Sequence, residues 1–190
     1  MRSSLTLALL TALLVLLVVP ANARVKVDID FDKTFDFSKV KTWSWNPEGP
    51  GEVKMARTKD DDPDAMKAKS EPWILSEVAA EMAKRGLSES AAPDVSVKYY
   101  LLLSTTMNSQ VMGQFLPGTT AWAMPPFLAR TQSMEILNQG SLVLDMTANG
   151  AIVWRGVAQA QIKLDTTDQK REALVREGVR DLLRRFPPKP

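Results

Sequence analysis

Apolar and polar residues alternate without a break from Val25 to Asp32, with Val25, Val27, Ile29 and Phe31 on one side and Lys26, Asp28, Asp30 and Asp32 on the other. A period of two is the signature of a strand buried on one face. A second short strand, "VKTWSW", sets Trp43 and Trp45 on a common face. From 46 to 69 the pattern dissolves into Pro, Gly and mixed charge and predicts a solvated loop. The period then lengthens. Ile74, Leu75, Val78, Ala79 and Met82 recur at helical spacing, with Ser70 as the N-cap and Gly86 as the stop. Alternation returns in "DVSVKYYLLL", where Val95, Val97, Tyr99, Leu101 and Leu103 share a face. A last helical stripe joins Leu174, Val175, Val179, Leu182, Leu183 and Phe186 and is ended by Pro187 and Pro188.

Between these lies "LVLDMTANGAIVWRGVAQA", residues 142–160, two apolar runs around Asn149-Gly150. A regular two-residue turn would place Asp145 opposite Trp154 and mix polar with apolar groups on both faces. A three-residue loop, Ala148 to Gly150, instead sets Leu144 opposite Trp154 and Val143 opposite Arg155. Leu142, Leu144, Met146, Ile152, Trp154, Gly156, Ala158, Ala160 and Ile162 then face one way, and Asp145, Arg155, Gln159, Gln161 and Lys163 the other. This register makes Trp154 a core residue, with Gly156 leaving room for the indole or a helix. It points Arg155 to water within diagonal reach of Asp145. The element order β-β-α-β-β-β-α predicts an α+β domain: a mainly antiparallel sheet of about five strands with two helices packed on one face.

The first 24 residues, "MRSSLTLALLTALLVLLVVPANAR", join a basic Arg2, an apolar stretch from Leu5 to Pro20 and an Ala21-Asn22-Ala23 cleavage site. The run is shorter than the roughly 20 residues that span a bilayer comfortably. Residues 1–23 therefore read as a cleaved signal peptide, with an uncleaved anchor helix as the alternative, and 24–190 as a single exported domain, periplasmic or secreted. With no Cys there is no disulfide and no lipid anchor to expect behind the signal peptide. With no His either, Ser-His and Cys-His pairs and most zinc sites are excluded. A net charge of +2 with interspersed signs lacks the basic face that nucleic acid requires.

The stretches "VDIDFDKTFDFSKVKTWSW", "DVSVKYYL", "QGSLVLDMTANGAIVWRGVAQA" and "RRFPP" resemble a bacterial envelope family catalogued as domain of unknown function 4136. Phe37-Ser38-Lys39 and Val153-Trp154-Arg155-Gly156 carry the resemblance most strongly. It implies a small periplasmic or membrane-attached protein, although the lipoprotein Cys of such proteins is missing here. It supplies no catalytic residues.

Asp28, Asp30 and Asp32 could hold a hard cation through carboxylate oxygens, or could form a charged edge that discourages pairing with other chains. Lys33 and Lys39 stand where a calcium-binding loop of the helix–loop–helix type needs Gly and Glu. Asp60, Asp61, Asp62 and Asp64 lie among lysines, a poor platform for the rigid carboxylate pair of a hydrolase. The most unusual stretch runs from Tyr99 to Ala129 without a charge. Its Met/Pro/aromatic part, 106–132, is either a recognition surface carrying Phe115, Leu116, Trp122 and Phe127 or a lid on the sheet. The composition favours a non-enzymatic protein that needs no cofactor and binds an envelope partner or an apolar surface. A small-ligand or divalent-cation-binding module and a carboxylate-dependent hydrolase are the alternatives. If the signal peptide is cleaved, intact-mass measurement on the exported protein should find Arg24 as the first residue; Met1 retained on membrane-bound material would indicate the anchor.

Overall fold

The computed structural model describes residues 25–55, 62–103, 110–111, 135–136, 139–162 and 166–188. The expected signal peptide, 1–23, lies outside them. The elements are β1 (Lys26–Phe31), a 3-10 turn (Phe37–Lys39), β2 (Thr42–Trp45), β3 (Gly51–Met55), α1 (Pro63–Lys84), β4 (Ser88–Glu89), β5 (Val95–Leu103), β6 (Gln110–Val111), β7 (Glu135–Ile136), β8 (Gln139–Ala148), β9 (Ala151–Gln161) and α2 (Asp168–Leu183).

β1 to β5, β8 and β9 build a seven-stranded sheet in the order β1-β9-β8-β5-β2-β4, with β3 also paired to β5. β6 and β7 form a separate two-stranded sheet. The β1-β9-β8-β5 half is antiparallel, as the alternating patterns predict. β2, β3 and β4 add parallel pairs, so the sheet is mixed and wider than the five antiparallel strands expected. β2 runs along Val95 to Val97 and β3 along Tyr99 to Leu103, so the chain leaves β5 and rejoins it. Bonds from Asn46 N–H to the Val97 carbonyl (2.9 Å) and from Tyr99 N–H to the Pro50 carbonyl (2.9 Å) bracket this detour. Pro and Gly around 46–51 hid β3 within an apparent loop. Gly51 is required there because a Cβ would run into the Tyr99 ring.

α1 also begins earlier than Ser70. Asp62 caps it, its carboxylate accepting from the N–H groups of Asp64 and Ala65 at 3.0 Å, and Pro63 occupies the first turn, where its missing N–H costs nothing. Ser70 lies inside the helix and donates its hydroxyl to the Met66 carbonyl (2.8 Å). Two cap-and-proline signals compete in the sequence, and the upstream one defines the helix. Arg85 caps the far end before Gly86, whose φ of +77° suits the stop predicted there.

Both helices cover one face of the sheet. Ile74, Val78 and Met82 of α1 and Val179, Leu182 and Leu183 of α2 join a core with Val97, Tyr99, Leu144, Met146 and Trp154. The helices are linked by Glu77, which receives Arg176 at 3.1 Å and Arg180 at 3.2 Å. Arg85 ties the end of α1 to the Phe186 carbonyl at 3.1 Å. The Phe186 ring meets Trp154 edge-on, 5.7 Å between centroids, and Phe37 at 5.9 Å.

Gly156 is a tight point of this layer. A Cβ there would overlap the Trp154 ring and press on Leu182. Gly156→Ala should therefore lower stability by about 1–3 kcal/mol, the range for overpacking a close-fitted core, read as an earlier midpoint in urea with an unchanged slope.

Candidate functional site: a charged row across the outer face

A row of charges crosses the sheet face turned away from the helices. β5 has one charged residue, Lys98; β8 has one, Asp145; β9 has one, Arg155. The register sets them side by side: Asp30 on β1 opposes Arg155, Arg155 opposes Asp145, and Asp145 opposes Lys98. Lys98 in turn meets Glu52 of β3 at 3.1 Å, and Glu52 meets Lys54 at 2.9 Å. Signs alternate along the whole row.

At its centre Arg155 donates through Nε to Oδ1 and through Nη2 to Oδ2 of Asp145, a bidentate fork. Arg155 is 0% and Asp145 2% exposed. This overturns the expectation that Arg155 points to water. Around the pair, Tyr100, Leu102, Ser141, Val143 and Val157 are all buried, and none of them belongs to the core under the helices. Burial holds the Asp145 carboxyl above the usual carboxylate range, against the opposing pull of the charge and hydrogen bonds of Arg155. Burial and the nearby Asp145 charge also push the Tyr100 hydroxyl up.

The hairpin explains how the charges meet. Asn149 (φ +51°) and Gly150 (φ +79°) form a two-residue turn between Ala148 and Ala151, with both residues in the left-handed region that such a turn demands. One extra residue, Val153, is inserted on β9 between the pairs Thr147–Ile152 and Met146–Trp154. The bulge, rather than a longer loop, restores the sorting of faces. Trp154 is buried in the core as expected, but it opposes Met146, and Leu144 opposes Gly156. Ile152 pairs with Thr147 and so lies on the outer face.

Chemically the central pair is closed. A guanidinium does not lose its proton in proteins, and both Asp145 oxygens accept from it. The Asp145–Arg155 pair therefore acts on strand register rather than as a base or nucleophile. One opposite charge in each otherwise uncharged strand was a signal for this pairing; single-face parity concealed it by assuming that the outer face was wet.

Phe115, Leu116, Trp122 and Phe127 lie outside the described residues, as do Asp60 and Asp61. Asp62 is the α1 cap. Asp28 and Asp30 each accept from the next backbone N–H at 3.0 Å, and Asp32 accepts from the Thr34 N–H (2.8 Å) and hydroxyl (2.7 Å). Among the described residues no group of three His, Cys, Asp or Glu is arranged for a metal ion. No helix among them is long and apolar enough to cross a membrane.

The profile of a family described as Domain of unknown function (DUF4136) matches residues 27–188. The chain belongs to this family. A solved DUF4136 family protein from Bacteroides thetaiotaomicron is 13% identical with a TM-score of 0.50, over 86% of this chain and 96% of that one. A PDZ domain protein from Parabacteroides distasonis is 12% identical with a TM-score of 0.51, over 89% of this chain. The chain spans only 37% of that protein's length. These likenesses establish the DUF4136 fold and nothing of its role. Comparison with curated proteins gives no match.

Removing one partner of the buried pair leaves the other charged and desolvated, at a typical cost of about 3–5 kcal/mol. Arg155→Ala and Asp145→Ala should each fall in that range, as should Trp154→Ala through the cavity it leaves. The Asp145→Leu/Arg155→Leu double variant should lose far less than the sum of the single leucine variants. Denaturant melts of this cycle check the coupling, and additive losses would show that the pair is not coupled.

Proposed function

We propose that this DUF4136 protein is an exported, non-enzymatic envelope protein that binds a partner or apolar surface through its Met/Pro/aromatic 106–132 stretch, with Phe115, Leu116, Trp122 and Phe127 as the anchors. One observation carries this reading. The stretch falls between Leu103, the end of β5, and Gln139, the start of β8, two neighbouring central strands whose outer face holds the buried Asp145–Arg155 pair. A recognition segment is most effective when its attachment points are rigid, because less freedom is then lost on binding. Aromatic and Met side chains without charge suit such a role.

A specific observation favours a second reading. Tyr100, Leu102, Val143 and Val157 are buried although both helices lie on the opposite face. On this reading Phe115, Leu116, Trp122 and Phe127 would serve as cover for the outer face and for its ion pair, whose mutual attraction is stronger away from water.

Changing Phe115, Leu116, Trp122 and Phe127 together to Ser separates the two. As recognition anchors they contribute little to folding, so the melting midpoint should hold while capture of envelope partners is lost. As cover they are each worth roughly 1.5–3 kcal/mol, and the domain should unfold in thermal melts. Unchanged stability with unchanged capture would remove both readings.

A further inference from the structure

β1 ends the seven-stranded sheet, paired on one side to β9. The Asp32 N–H donates to the Val153 carbonyl of β9 at 2.8 Å. Backbone N–H groups alternate in direction along a strand, so those of Asp28 and Asp30 also face β9, while those of Val27, Ile29 and Phe31 face away from it. An outward row of N–H groups is a template for an added strand. The hazard is real at this edge, because Ile29 and Phe31 are only half-buried and line an open groove with Arg184, Arg185, Pro187 and Pro188. An incoming strand would gain apolar contacts as well as hydrogen bonds.

Two of the three outward N–H groups are already taken. Asp28 Oδ1 accepts from Ile29, and Asp30 Oδ1 accepts from Phe31, both at 3.0 Å. A carboxylate is a stronger acceptor than the backbone carbonyl of another strand, and a side chain adjacent in sequence pays no association entropy. We propose that Asp28 and Asp30 close the β1 edge from within, excluding β1 of a second copy of this chain. The device is hydrogen-bond occupancy at the N–H groups. Net repulsion between acidic edges is not what it relies on, and that distinction is testable.

In Asp28→Ala/Asp30→Ala the two N–H groups are released, and in Asp28→Asn/Asp30→Asn the charge is removed while an accepting oxygen stays in place. Sedimentation velocity over a concentration series should show the Ala protein self-associating at concentrations about tenfold lower than wild type, the change expected from roughly 1.4 kcal/mol, with the Asn protein unchanged. An Ala protein that melts cooperatively and associates no more than wild type would overturn the proposal, as would an Asn protein that associates as readily as the Ala protein. Should the Ala protein fail to fold, amide exchange on the wild type decides. The Ile29 and Phe31 amides should exchange about tenfold more slowly than Val27, and equal rates at all three would overturn it.

Discussion

Two opposite charges held out of water impose the strictest constraint on this fold. Desolvating an ion costs several kcal/mol, and a buried pair recovers that only with close, fully bonded geometry. Arg155 and Asp145 answer this cost with a bidentate fork between directly opposed residues. A slip of one position on β9 would set Arg155 against an apolar neighbour of Asp145 and strand both charges. The pair therefore fixes β8 against β9, and its extension through Asp30 and Lys98 carries the same register outward to β1 and β5. The bulge at Val153 belongs to this requirement, because a two-residue Asn149-Gly150 turn alone would leave the two charges out of line.

What is fixed on the outer face determines packing on the inner one. With Asp145 opposite Arg155, Trp154 opposes Met146 and Gly156 opposes Leu144. The indole can then lie over Gly156, where Leu182 of α2 also arrives. Gly178 of α2 sits over Ala158, its missing Cβ leaving the helix close to the strand. Phe186 closes the end of this layer against the Trp154 and Phe37 rings. The position of α2 is thus tied to an ion pair on the far side of the sheet.

Periodicity made much of this legible. The alternation of β1 and β5, the stripe of α2 and the core role of Trp154 all follow from residue spacing, because each of these elements turns one set of regularly spaced apolar residues toward the core between sheet and helices. β3 was hidden because its pairing depends on long-range attachment to β5 rather than on a pattern of its own. The start of α1 was displaced because Ser70 and Pro72 imitate a helix entry that Asp62 and Pro63 already provide. The burial of Arg155 escapes residue spacing for a deeper reason. Alternation reports which residues share a face, and it says nothing of whether the second face is dry. That information lay in the sparseness of charge, one per strand with opposing signs.

The same constraints bear on where function can reside. The inner face of the sheet is occupied by the helices, and the outer face is buried around a row of charges that answer one another. Asp28, Asp30 and Asp32, the acids with the clearest spacing for a cation, each hold a neighbouring N–H group. One oxygen of each carboxylate is thus already engaged in local hydrogen bonding. A recognition surface is less costly to build from side chains that the scaffold does not need. On the proposed reading, the aromatic stretch that follows β5 would supply such side chains between two register-locked strands, so the outer face and that stretch have to be understood together.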